Sequence, residues 1–240
     1  MHSLKETLKF KVHAEDDVFG GISDFYFDDH HWSIRYLVID TGNWLPGRKV
    51  LISPTSAGEP DWHEKSVPVV LNRAQIENAP PISTERPVSR QHEEAISLYY
   101  GWPRYWSATG LPAPGLGGLP HNAPGLPLDK MAEAGNRFEE SREARLHEDP
   151  NLRSFREVMG YSISATDSDI GHVEDFLADM KEWRIRKLVV DTRNWLPGKD
   201  VVVGIEQISE VNWEDHRVSV AITKAEVENS PAFEKARVFI

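Results

Sequence analysis

The residues best suited to chemistry are the carboxylate and imidazole side chains of the segment DDHH, residues 28–31. Carboxylates and imidazoles are common metal ligands. The equivalent segment of an internal repeat, residues 179–182, reads DMKE, and neither a cysteine nor a spaced histidine pair completes a ligand shell. We therefore predict a polar hairpin turn at this place and no metal site.

A second set of charged residues occurs twice in the chain and could suggest acid–base catalysis. Its members are Asp24, Asp28, Arg35 and Asp40, repeated as Asp175, Asp179, Arg186 and Asp191. Arg35 and Asp40 are five residues apart on one predicted strand, so their side chains point to opposite faces. Arg35 can reach Asp24 or Asp28 only across a hairpin, where an ion pair is the ordinary outcome. We expect no catalytic residue and no enzymatic activity from this set.

No cofactor is expected either. The glycine-rich segment GLGGLP, residues 115–120, has no predicted strand before it and no helix directly after it. A phosphate-binding loop needs both of these neighbours. We interpret this segment as a spacer.

Composition and charge restrict the possible functions of the chain. It has 240 residues, 40% of them hydrophobic, with 27 basic and 38 acidic side chains and a net charge of −11. The acidic excess is spread along the whole chain, which argues against nucleic-acid binding. There is no cysteine, so disulfides and thiolate metal sites are excluded. The N-terminus lacks a signal-peptide pattern, and the longest uncharged run, residues 105–128, is interrupted by proline and glycine. We expect a soluble, cytoplasmic protein.

The chain contains an internal repeat with an offset of 151 residues. Residues 8–80 align with residues 159–231 without a gap, and 27 of the 73 pairs are identical. The clearest match is DTGNWLPG at Asp40 with DTRNWLPG at Asp191. This similarity is far above chance and predicts a duplicated fold.

Each copy has the pattern of short strands followed by one short helix. The run IRYLVID, residues 34–40, is apolar at nearly every position, which is typical of a strand buried on both faces. Asn72 with Gln75, and Thr223 with Glu226, have the spacing of capping boxes. About five strands in 75 residues favour a small barrel, because closure leaves no long exposed edge. We predict a mainly β protein with a first barrel at 1–81, a partly helical Gly/Pro-rich linker at 82–150 and a second barrel at 151–240.

Three stretches of the sequence resemble PRC-barrel domains, a family shared by the photosynthetic reaction centre H subunit and a ribosome maturation factor. They are GGISDFYFDDHHWSIRYLVIDTGNWLPGRKVLISP, IGHVEDFLADMKEWRIRKLVVDTRNWLPGKDVVV and REVMGYSISATDSDIG. The combination resembles bacterial proteins with two copies that are similar to the H subunit. The H subunit has a membrane helix before its barrel, and we expect none before or between the copies here.

The resemblance implies a non-enzymatic protein-binding or scaffolding role, in the cytoplasm or at the cytoplasmic face of the inner membrane. A partner in a photosynthetic or electron-transport complex is one implied possibility. A role in ribosome assembly and an enzyme of unknown type are the alternatives. The identity of the protein partner stays open.

The repeated turn carries two bulky apolar residues next to a Pro-Gly pair that fits a type II turn. The candidate interface residues here are Trp44, Leu45 and Pro46, with Trp195, Leu196 and Pro197 in the second copy. We expect the two turns to contact each other, or an equivalent surface of a homodimer, around a pseudo-two-fold axis. The alternatives are packing under the loops of each barrel, and a ligand site.

The linker begins with a predicted helix at residues 90–98 and continues into an aromatic cluster that we call the aromatic hook. Its members are Tyr99, Tyr100, Trp102, Tyr105 and Trp106. The hook either fills a groove on the barrels or docks onto another protein.

Overall fold

The computed structural model describes residues 1–15, 18–80, 90–103, 152–193, 196 and 199–233. The chain is mainly β in these ranges. The strands are β1 His2–Ser3, β2 Lys11–His13, β3 Val18–Asp28, β4 Ser33–Asp40, β5 Lys49–Ile52, β6 Ser66–Pro68, β7 Leu152–Ser154, β8 Ser162–Ser164, β9 Asp169–Asp179, β10 Arg184–Asp191, β11 Asp200–Gly204, β12 Ile208–Asn212 and β13 Arg217–Val220. The α-helices are α1 Leu4–Thr7, α2 Arg73–Glu77, α3 Arg90–Tyr100, α4 Phe155–Val158 and α5 Lys224–Glu228.

Equivalent elements lie 151 residues apart in the two aligned parts of the chain, which we call the first half (residues 8–80) and the second half (residues 159–231). β3 and β9 have this offset, as do α2 and α5. The predicted capping boxes are confirmed, because the side chains of Asn72 and Thr223 each accept a hydrogen bond from the amide of the third helical residue, and their own amides donate to the side chain of that residue. The run predicted as a strand buried on both faces is strand β4, which has buried side chains at five of its eight positions and pairs with both β3 and β5.

Two separate closed barrels were expected, and here the structure differs. The described strands belong to one 13-stranded sheet, in which β10 of the second half pairs with β4 of the first. β5 and β11 each pair with one named strand only, so hydrogen bonding among the described strands gives a curled sheet without closure. A short antiparallel contact between the first residues of β4 and β10 joins the strands of both halves into this one sheet.

The segments that precede the two halves cross over. Residues 2–7, the N-terminal segment, contain β1 and α1, and β1 pairs with β9 of the second half. Residues 152–158, the middle segment, contain β7 and α4, and β7 pairs with β3 of the first half. Each half is therefore completed by a segment from the opposite side of the predicted boundary at residue 151.

One hydrophobic core extends through both halves. The rings of Phe27 and Phe176 are 5.5 Å apart, Phe27 stacks on Trp32 at 5.7 Å, and Phe155 lies 6.0 Å from Phe176. All four residues are buried. Because aromatic contacts cross from one half to the other, neither half encloses its core alone.

Candidate interaction surface

The turn after β4 is fixed by the side chains of its own repeated motif. The Asp40 carboxylate accepts from the Gly42 amide at 2.9 Å, and the Thr41 hydroxyl lies 2.8 and 2.7 Å from the carbonyl oxygens of Leu45 and Arg48. The Arg48 amide donates to the Leu45 carbonyl at 3.0 Å, and Gly47 has a φ of 74°. A positive φ at the third position agrees with the type II turn that the Pro-Gly pair predicts.

Basic side chains join both turns to the short helices. The Arg48 guanidinium donates to the carbonyl oxygens of Glu77, at 2.7 Å, and Ala79 at the end of α2. In the second half the Lys199 ammonium donates to the Glu228 carbonyl at 3.0 Å, at the end of α5. Cations are favourable at helix C-termini, where the last carbonyl groups lack helical partners. The first turn is therefore held at a fixed position on its half, and Lys199 makes the equivalent contact in the second half.

Trp44 packs against its own half. Its ring lies 5.9 Å from that of Phe19, edge to face, and the Arg73 guanidinium lies 4.7 Å from the ring centroid. Trp44 and Leu45 are half-buried and Pro46 is exposed. These contacts favour the alternative in which the tryptophan packs under its own barrel, and they leave Pro46 as the exposed apolar tip.

The described contact between the halves does not involve the turns. The Ile34 amide donates to the Trp183 carbonyl and the Ile185 amide to the Trp32 carbonyl, both at 2.8 Å. Antiparallel strands that pair at their first residues run away from each other, so the turns that follow β4 and β10 lie at opposite ends of this pair. Among the described residues this geometry gives no support to the expected contact between the two turns of one chain, and that contact stays a prediction.

The second turn is only partly described. Leu196 is half-buried against the core. Trp195 and Pro197 lie outside the described residues. Contact between turns of different copies stays a prediction.

Two repeated aspartates hold the crossing segments. The Asp24 carboxylate accepts from the Ser154 hydroxyl at 2.6 Å and the Arg156 amide at 3.0 Å. Asp175 makes the same two contacts, with the Ser3 hydroxyl and, at 3.0 Å, the Lys5 amide.

Burial raises the pKa of both carboxyls, and the hydrogen bonds lower it. Burial is the larger effect, and it raises the pKa of Asp175 to about 6. Asp24 and Asp175 thus attach each segment to the opposite half.

The sequence reasoning missed this connection, although a signal was present. Extending the aligned repeat toward the N-terminus pairs HSLKE at residues 2–6 with RSFRE at residues 153–157. The serine and the glutamate are identical, and Ser3 and Ser154 are the residues that meet the aspartates. The crossing itself has no sequence signal, because the same residues would serve equally well within one half.

The predicted aromatic hook lies on the first half where it is described. The Tyr99 hydroxyl donates to the Gln75 carbonyl at 2.8 Å, and the Trp102 indole donates to the Ser56 hydroxyl at 2.6 Å. Tyr100 stacks on Trp102 at 4.2 Å. These contacts agree with the groove-filling alternative for three members of the hook; Tyr105 and Trp106 lie outside the described residues.

The DDHH segment forms the predicted hairpin turn. Asp28 is buried and accepts from the His30 amide at 2.9 Å, the His31 amide at 3.0 Å and the Arg35 guanidinium at 2.6 Å. Burial alone would raise the pKa of Asp28, but these donors lower it below its ordinary value. The Arg35–Asp28 pair is the structural ion pair that the sequence predicted.

The described ranges offer neither a metal-binding cluster nor a membrane-spanning helix. They contain no group of three or more histidine, aspartate or glutamate side chains able to hold a metal ion. Within the same ranges, no helix combines the length and apolar character that a membrane span requires.

The comparisons with known proteins identify one domain in this arrangement. No curated protein matches the sequence. Residues 150–227, which comprise the middle segment and most of the second half, match the family model of the PRC-barrel domain.

Proposed function

We propose that this protein is a non-enzymatic scaffold that binds other proteins through a rigid pair of PRC-barrel units. The observation that carries the proposal is that the repeated polar residues make structural contacts. Asp24 and Asp175 hold the crossing segments, Asp28 pairs with Arg35, and Asp40 fixes a turn. Side chains bound in this way stabilise the fold, and their contacts supply no acid–base pair for a substrate.

We further propose that the first half is a second PRC-barrel unit and that the two arose by duplication. The support is the repeat of 27 identical pairs in 73 and the common offset of 151 residues between equivalent elements. Two copies of one sequence motif in a single chain suit a scaffold, because each copy can supply a binding surface of the same kind.

The surface that we propose for binding is the tip of the turn, Leu45 and Pro46. The turn is fixed by Asp40, Thr41 and Arg48, so binding orders few side chains and costs little conformational entropy. Trp44 supports the tip from below through Phe19. A small apolar patch on a rigid support is a typical centre for a protein contact.

For the partner, we propose a complex at a photosynthetic or electron-transport membrane, based on the resemblance to the H subunit. A ribosome-assembly role is the alternative, and the net charge of −11 disfavours it because RNA repels an acidic surface. An enzymatic role would require a site outside the residues discussed above.

The experiment is co-sedimentation of the full chain with two purified particles, bacterial photosynthetic reaction centres and ribosomal small subunits. We expect binding to the reaction centres and about a tenfold loss of affinity in the variant Leu45→Ser/Pro46→Ser, which is the loss of about 1.4 kcal/mol of apolar contact. Val70→Ser is the matched control, since Val70 is 62% exposed and lies outside the turn. Binding to ribosomal subunits alone would support the alternative, and equal binding by all variants would exclude the turn.

A further inference from the structure

The contact between the halves has the form of a symmetric dimer interface inside one chain. Ser33 faces Arg184, and this pair is flanked by the two equivalent hydrogen bonds, Ile34 to Trp183 and Ile185 to Trp32. Trp32 and Trp183 both have left-handed backbones, with φ of 56° and 51°. The two sides of the contact are therefore built in the same way.

The crossing segments repeat this symmetry. Ser3 and the Lys5 amide bind Asp175 as Ser154 and the Arg156 amide bind Asp24. In a two-fold dimer each subunit gives and receives the same contact. Each of these contacts joins one half, or the segment that precedes it, to the opposite half, and none requires that both partners come from one molecule.

The covalent connection between the halves is longer than this arrangement needs. Ile96 and Leu152 are buried in one small cluster with Tyr26, and Trp102 packs against it, so the described ends of the connection lie together. Residues 104–151 nevertheless separate these ends in the sequence. At about 3.3 Å per extended residue, 48 residues can span more than about 100 Å. The connection therefore reaches a second molecule as well as its own.

We propose that two copies of this chain form a dimer by exchanging halves, so that the first half of each copy pairs with the second half of the other. Every strand pair, aspartate contact and aromatic contact of the junction is kept in this dimer. The partner surface is the junction itself, and it does not depend on the binding function proposed above.

The ratio of the exchanged dimer to the monomer depends on the protein concentration. Because the contacts are the same, the monomer is favoured only by the effective concentration of its covalently linked half, which is about millimolar. The ratio of exchanged dimer to monomer is thus expected to rise about tenfold when the refolding concentration rises tenfold.

The test uses two full-length chains that each carry one new thiol, Ser33→Cys and Arg184→Cys. The natural chain has no cysteine, so every disulfide that forms joins two introduced thiols, and peptide mass spectrometry separates the mixed product from products of one variant with itself. Ser33 and Arg184 are a non-hydrogen-bonded antiparallel pair, whose Cα atoms are typically about 4.5 Å apart, a distance that a disulfide accepts. Because the thiols are on different molecules, they come together at the junction only if the halves are exchanged.

Both chains are mixed in denaturant, refolded together at about 10 and about 100 µM and oxidised, and the products are separated without reductant. The control mixture replaces Arg184→Cys by Val70→Cys, a thiol on an exposed position away from the junction. Circular dichroism of each single variant establishes that it folds. We expect a covalent dimer of the first pair, about tenfold above the control and rising with concentration. A yield equal to the control, or one independent of concentration, would overturn the proposal.

Discussion

Asp175 is buried, yet its carboxylate accepts hydrogen bonds from a hydroxyl and two amide groups. Desolvation is the larger effect, so the pKa of this carboxyl is raised from its ordinary value of 3.8 to about 6. The folded state therefore favours the protonated carboxyl of Asp175. The stability that this group contributes is fully present below about pH 3.8 and is lost as the pH rises through about 6.

We predict that Asp175→Asn removes this pH dependence. The stability of the natural protein relative to the variant should fall by about 3 kcal/mol between about pH 4 and about pH 7, as expected from the size of the shift. Urea unfolding at a series of pH values measures it. Asp28→Asn is the control of opposite sign, because a lowered pKa contributes stability that is lost as the pH falls. Parallel curves for the natural protein and Asp175→Asn would contradict the prediction.

Gly20 is required by close contact with the end of β4. A Cβ at this position would lie 2.3 Å from the Asp40 carbonyl oxygen, and its φ is 154°. We predict that Gly20→Ala lowers the free energy of unfolding by about 3 kcal/mol. Gly21→Ala is the matched control, since its nearest atom is 3.5 Å away; it should change stability by less than about 1 kcal/mol. Equal effects in denaturant unfolding would show that the contact is not decisive.

At the scale of elements, we expect the turn after β4 and the turn after β10 to contribute to stability independently of each other. Trp44 contacts Phe19 and Arg73 in the first half, and β4 and β10 place the turns at opposite ends of their pair. Trp44→Ala is expected to lower the free energy of unfolding by about 2 kcal/mol, because the variant loses the contacts of a half-buried aromatic ring. The losses from Trp44→Ala and Trp195→Ala should add to within about 0.5 kcal/mol in the double variant. Coupling well above this value would restore the expected contact between the turns.

Helix α3 is attached to the first half by its last residues. Trp102 stacks on Tyr100 and donates to Ser56, and its amide donates to the Ser97 carbonyl. We predict that Trp102→Ala releases the end of the helix and increases the rate of protease cleavage after Leu98 about tenfold. Mass spectrometry of the fragments measures this rate. Val70→Ala is the control, because Val70 is 62% exposed and lies outside the helix; unchanged cleavage in Trp102→Ala would mean that the hook does not hold the helix.

The described strands form one sheet, and the larger of the two hydrophobic clusters extends through both halves, so the halves should not unfold independently. Phe27 and Trp32 of the first half contact Phe176 of the second. We predict a single transition in guanidinium chloride, with tryptophan fluorescence and far-ultraviolet circular dichroism following the same curve. Two separated transitions would indicate two autonomous domains.

The sequence by itself determined the local elements. The capping boxes at Asn72 and Thr223, the type II turn at Pro46 and the Arg35–Asp28 pair all depend on residues close together along the chain or across one hairpin. Only the tertiary structure decided how these elements join. The pairing of β4 with β10 and the crossing of Ser3 and Ser154 depend on which of two equivalent half surfaces each segment meets. Because a duplicated sequence offers the same residues on both halves, its local pattern cannot distinguish contact within a half from contact between halves.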